Sequence, residues 1–128
     1  MEAPNPAPFS KKTGFAHLWA ATRYSLQGFR RLLAESAFRH ELILLAAAFG
    51  LFVYCHATML HYLGLIVLGL MLIAVEALNT AIEEVIDRIS PEFSDVARNA
   101  KDLGSFAVSC LLLATLMYVG WVVFFANL

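Results

Sequence analysis

Residues 42 to 75 read LILLAAAFGLFVYCHATMLHYLGLIVLGLMLIAV, 34 residues without one Asp, Glu, Lys or Arg, and the next residue is Glu76. A membrane-crossing helix needs about 20 apolar residues. This stretch, roughly 51 Å long as a single helix, is therefore too long for one crossing and too short for two crossings and a turn. The second crossing must borrow residues from beyond Val75. The most polar part of the stretch is Cys55-His56-Ala57-Thr58-Met59-Leu60-His61-Tyr62, ending in a tyrosine of the kind that favours a membrane interface, and the turn is placed there. A second helix starting near His61 or Tyr62 then ends near Ala81, which draws Glu76, Asn79 and Thr80 into the bilayer or to its edge.

Outward from this stretch, residues 103 to 128 are also free of charge and supply a third crossing, with Tyr118, Trp121, Phe124 and Phe125 near its far end. The whole chain agrees: 60% hydrophobic and 15% charged side chains with a mean hydropathy of +0.70 are too oily for a soluble domain of 128 residues. A net charge of -1 offers no basic excess to neutralise a phosphate backbone, which excludes nucleic-acid binding. Six of the nine Lys and Arg precede residue 42 and the other three lie between 76 and 102, so the N-terminus and second loop are expected in the cytoplasm and the C-terminus on the far side. Cys55 and Cys110 each stand alone in apolar surroundings and read as hydrophobic thiols, not as a disulfide or a metal site.

Before the first crossing, Phe15, Leu18, Trp19, Leu26, Phe29 and Leu33 recur at helical spacing while His17, Arg23, Gln27, Arg30 and Arg31 point elsewhere. This predicts an amphipathic helix, either lying on the membrane or packed on the cytoplasmic ends of the others. The expected organisation is a flexible tail over 1–13 and one membrane domain over 14–128. Within that domain the surface helix runs over about 14–39 and the transmembrane helices over about 40–58, 61–89 and 101–126. Pro4, Pro6 and Pro8 in the tail, with no uncharged core behind them, do not read as a cleaved signal.

Glu76, Asn79, Glu83 and Asp87 fall along one helical stripe running from the bilayer edge into the cytoplasm. For Glu83, Glu84, Asp87 and Arg88 a solvated helix end is an adequate account. Glu76 differs, because an acid at membrane depth is costly unless protonated, paired or facing a cavity. It is a candidate general base; an interhelical hydrogen bond, with Asn79 or Thr80 of a neighbouring subunit, is the structural alternative. Between 76 and 102 seven acids face three bases, a surface that attracts cations and suits Mg²⁺ shared with substrate phosphates. Lys101-Asp102 offers a cation for phosphate beside an acid for metal or sugar, or a plain ion pair. Phosphate-loop and protein-kinase motifs are absent from the sequence, and the histidines lack zinc spacing.

The run Glu76-Ala77-Leu78-Asn79-Thr80-Ala81-Ile82-Glu83-Glu84-Val85-Ile86-Asp87-Arg88-Ile89, followed by Ala100-Lys101-Asp102-Leu103-Gly104-Ser105, resembles the signature of prokaryotic diacylglycerol kinases. The resemblance extends upstream through Thr13-Gly14-Phe15, Tyr24-Ser25, Gly28, Arg30 and Glu35-Ser36-Ala37-Phe38-Arg39. It implies an all-α integral membrane protein of the bacterial inner membrane, a homotrimeric bundle with three transmembrane helices and a surface helix per subunit and with active sites shared between subunits. The implied reaction moves the γ-phosphate of MgATP to the free hydroxyl of 1,2-diacylglycerol, giving phosphatidate and ADP.

Carried over by position, the resemblance makes Glu76 the general base in contact with the lipid, and Glu35 and Glu83 the acids that hold Mg²⁺ on ATP. His17, Tyr24, Glu92, Lys101 and Asp102 become further nucleotide contacts, Arg39, Glu41 and Ser105 the lipid side, and Asn79 and Asp87 supporting residues. His17 stands where the family often has arginine. Undecaprenol kinases share the stripe of acids but tend to have alanines after Lys-Asp, where this chain has Gly104 and Ser105, which favours diacylglycerol. A polyprenol kinase and a non-enzymatic trimeric membrane scaffold are the competing readings.

Overall fold

The computed structural model describes residues 13–126; all but the last residue of the expected N-terminal tail lies outside them. Four helices make up the described chain, with no strand among the described residues: α1 over Gly14–Leu33, α2 over Ser36–Tyr54, α3 over Met59–Ile89 and α4 over Asp95–Phe124. The helix expected from 14 to about 39 is thus divided, because the chain turns at Ala34-Glu35 and restarts as α2. The described residues form two compact units, divided between Arg31 and Leu32.

In the first unit, α1 carries Arg23 and Arg30 among exposed residues, and its last turn places Arg30 and Arg31 where cations complement the helix dipole. Phe15, Leu18, Trp19 and Leu26 are exposed as well.

In the second unit α3 packs most extensively on α4, and α2 lies against both. All three are long and apolar enough to cross a membrane; 33% of the most apolar stretch of α3 is buried against 11% for α4, so α3 is the central helix. The exposed surface includes Ile43, Leu51, Val67, Leu70, Leu113 and Met117. So large an apolar surface is untenable in water and natural in lipid.

The turn after α2 occupies Cys55–Thr58, inside the stretch the sequence marked for it. His56 adopts a positive φ of 54°, and the Thr58 amide donates to His61 Nδ1 at 3.2 Å, satisfying one of the free donors at the start of α3. This end of the bundle is pinned by Ala48, Phe52, Leu65 and Val122, with Tyr62 and Tyr118 packed alongside. The Tyr62 ring lies 5.0 Å from that of Phe49 and meets Phe52 edge-on at 5.8 Å. Tyr118 reaches across from α4 to donate its hydroxyl to the His61 carbonyl at 2.9 Å. Gly64 makes this possible, since a Cβ there would sit 2.3 Å from the Tyr118 oxygen.

At the opposite end, Pro91 follows α3 and cannot continue it. Ser94 caps α4, its Oγ accepting from the Ala97 amide at 3.1 Å, and Asp95 sits favourably in the first turn.

Candidate active site at the polar end of the bundle

With Met59 at one edge of the hydrocarbon layer, Glu76 stands about 26 Å along α3 and Glu83 about 36 Å, against a layer of about 30 Å. Burial follows the same gradient. Glu76 is 4% exposed and Asn79 8%, Glu83 is half-buried, and Asp87 is open to solvent. The stripe read from the sequence therefore surfaces from the bundle interior at one face of α3.

Glu41, in the second turn of α2, is also buried, and its carboxyl lies against that of Glu76 within hydrogen-bonding reach. Glu41 Oε2 has no hydrogen-bond partner among the described residues. Two acids facing each other in a shielded place are costly to leave charged together, which makes the pair a candidate site. Glu35, in the N-cap position of α2, and Glu83 are both close enough to Glu76 to act on it electrostatically. Asn79 donates from Nδ2 to Glu83 Oε1 at 3.4 Å.

The next turn opens into a cleft of about 370 Å³ between the end of α3, the connecting loop and the start of α4. Asp87, Glu92, Phe93, Arg98, Lys101 and Asp102 line it. Lys101 Nζ is ion-paired with Asp87 across the two helices, and Arg98 sits over the Phe93 ring, 5.9 Å from its centre. Sequence reasoning named Glu92, Lys101 and Asp102 here but missed Phe93 and Arg98. The available signal was the three-residue spacing of Arg98 and Lys101, which puts two cations on one face of α4.

Arg39 and Ser105, both expected on the lipid side, stand apart from this group. Arg39 turns back on its own chain, donating to the carbonyls of Leu33 and Ala34 at 3.2 and 3.4 Å. Ser105 is exposed on α4, and its carbonyl accepts from the Ser109 hydroxyl. His17 and Tyr24 belong to α1 and are exposed there. Among the described residues no three His, Cys, Asp or Glu side chains form a cage for a metal ion.

The fold and site define a small polytopic membrane protein whose acids and bases gather at the end of its central helix opposite the aromatic cluster. A family model of prokaryotic diacylglycerol kinase matches residues 23–124. A diacylglycerol kinase of Sinorhizobium sp is 52% identical over 118 residues, covering 92% of this chain and 86% of its own. One from Haemophilus influenzae is 37% identical over 90% of this chain and 98% of its own, and one from Escherichia coli K12 is 36% identical over 75% and 80%. The chain belongs to the prokaryotic diacylglycerol kinase family, and is a membrane-embedded lipid kinase.

Proposed function

We propose that the protein transfers the γ-phosphoryl group of ATP to the free hydroxyl of 1,2-diacylglycerol, at the cytoplasmic face of a bacterial inner membrane. The observation that carries this reading is the buried Glu41–Glu76 carboxyl pair at the depth where α3 leaves the lipid. A lipid hydroxyl arrives at that depth from the bilayer and a nucleotide from the cytosol. The hydroxyl oxygen attacks the γ-phosphorus, the new O–P bond forms as the bond to the β–γ bridging oxygen breaks, ADP leaves, and the hydroxyl proton passes to Glu76. The unpartnered Glu41 oxygen is a natural acceptor for a glycerol hydroxyl.

Mg²⁺ is held in nucleotide sites by one or two carboxylates together with the phosphates, so no protein cage is required, and Glu35 and Glu83 on either side of Glu76 fit that demand. A bound magnesium supplies neutralisation of charge on the phosphate oxygens. The chain itself positions: Lys101 and Asp102, with Glu92, line the cleft that takes the nucleotide, Asp87 holds Lys101, and Asn79 orients Glu83. His17 and Tyr24 of α1 complete the nucleotide contacts, and Arg39 and Ser105 lie on the lipid side.

In this reading residues 14–128 act as one kinase domain, with α1 on the membrane surface, the N-terminus in the cytoplasm, the C-terminus in the periplasm, and three subunits sharing their sites. The sparse burial of α4 leaves a long apolar face for lipid or a neighbouring subunit to cover. The test is an assay of purified protein with labelled ATP, Mg²⁺ and, in parallel, diacylglycerol and undecaprenol. Label in phosphatidate is expected; label in undecaprenyl phosphate alone shifts the substrate to a polyprenol, and transfer to neither by folded protein overturns the reading.

A further inference from the structure

Asn79 is an odd residue to bury. Its side chain lies between α3 and α4 in surroundings made by Val75, Leu78, Leu103 and Ala107, where a leucine would fit the chemistry better. Its amide makes one hydrogen bond, from Nδ2 to Glu83 Oε1 at 3.4 Å, while Oδ1 is buried without a partner among the described residues. An ionised carboxylate only accepts hydrogen bonds, so the NH₂ must face Glu83 and the carbonyl oxygen must turn the other way. That other way is toward Gly104 of α4: a Cβ at 104 would lie 2.2 Å from Oδ1, 3.3 Å from Cγ and 3.8 Å from the Asn79 Cα. The direction is filled by a Gly104 α-hydrogen, a weak donor of the kind found where helices approach closely.

We propose that Gly104 is a positioning residue for the Glu83 carboxylate: by having no side chain, it leaves room for the Asn79 amide to present its NH₂ to Glu83. Any side chain at 104 pushes on Oδ1 and swings the amide, and the lining around it is almost wholly apolar among the described residues. The bond to Glu83 is already long and has no slack to lose. This inference rests on the reading of Glu83 as a ligand of the metal on ATP. Groups that orient a metal-binding carboxylate typically matter 10- to 100-fold, roughly, for metal affinity.

The test uses the full-length protein in detergent micelles, with Mn²⁺ and a non-hydrolysable ATP analogue as the probe, read by electron paramagnetic resonance, together with KM for MgATP and kcat. Circular dichroism confirms folding. Gly104→Ala and Asn79→Ala are each expected to weaken Mn²⁺–nucleotide binding by about 10- to 100-fold and to raise KM more than they lower kcat. In the double variant the loss is expected to match that of Asn79→Ala alone, since the added methyl then has no amide to displace. Losses that sum in the double variant mean that Gly104 acts through helix packing, and overturn the proposal. Wild-type binding by Gly104→Ala alongside weakened binding by Glu83→Gln overturns it while leaving the role of Glu83 standing. Wild-type binding by Glu83→Gln overturns that role and the inference with it. Should Gly104→Ala alone fail to fold, Asn79→Ala decides, and wild-type metal binding there sinks the idea.

Discussion

At the scale of single residues, the contrast between Glu76 and Glu83 separates proton transfer from metal binding. Both are glutamates of α3, two helical turns apart, yet one is buried beside another carboxyl and the other is half-exposed beside an amide. Glu76→Gln is expected to lower kcat by about 10²- to 10⁴-fold, the usual span for losing a general base, with nucleotide binding retained. Glu83→Gln is expected to weaken MgATP binding as well, and equilibrium binding beside steady-state kinetics distinguishes the two. Equal and mild effects from both would contradict these roles. Glu76 was legible in the sequence because its position follows from arithmetic: too few apolar residues precede it for two crossings. Its meeting with Glu41 was not, because no periodicity along one helix reports what a second helix brings alongside. The same holds for Lys101 and Asp87, which sequence reasoning named separately and the fold joins.

At the scale of elements, hydropathy marks the part of a helix immersed in lipid and misses the part that stands outside it. The third crossing was therefore expected from about 101, whereas α4 begins at Asp95, where Ser94 caps a polar first turn in water. The division between α1 and α2 was hidden because Ala34-Glu35-Ser36-Ala37 contains no Gly or Pro to mark a break, and the turn is set by backbone hydrogen bonds such as that from the Glu35 amide to the Leu32 carbonyl. Gly64 offers a direct check on how the far end is held. Tyr118 is fixed there by its bond to the His61 carbonyl and by the neighbouring rings of Phe52 and Trp121, so it cannot easily yield to a methyl group. Gly64→Ala is expected to cost about 1–3 kcal/mol of stability through overpacking. Thermal unfolding in micelles would show it, and adding Tyr118→Leu should recover most of the loss; an unchanged midpoint in Gly64→Ala would refute the close approach.

At the scale of the whole molecule, the main imbalance is between few buried residues and a long apolar exterior. The three membrane-crossing segments were readable from where the uncharged stretches fall, but how much of that exterior meets lipid and how much meets other subunits was not, since both are equally greasy. Light scattering in detergent, corrected for the micelle, is expected to give a protein mass near three times the 14.2 kDa chain. A single-chain mass with full activity would remove the shared-site reading. The length of α3 has one more implication. Its 31 residues span about 46 Å, well beyond the hydrocarbon layer, so the helix works as a depth gauge anchored by the aromatic cluster at one end. Vesicles built from monounsaturated lipids with chains of about 14, 18 and 22 carbons would slide the water line along that gauge. Turnover should peak where the line meets Glu76 and fall on both sides, making the host bilayer's thickness a setting of the catalyst.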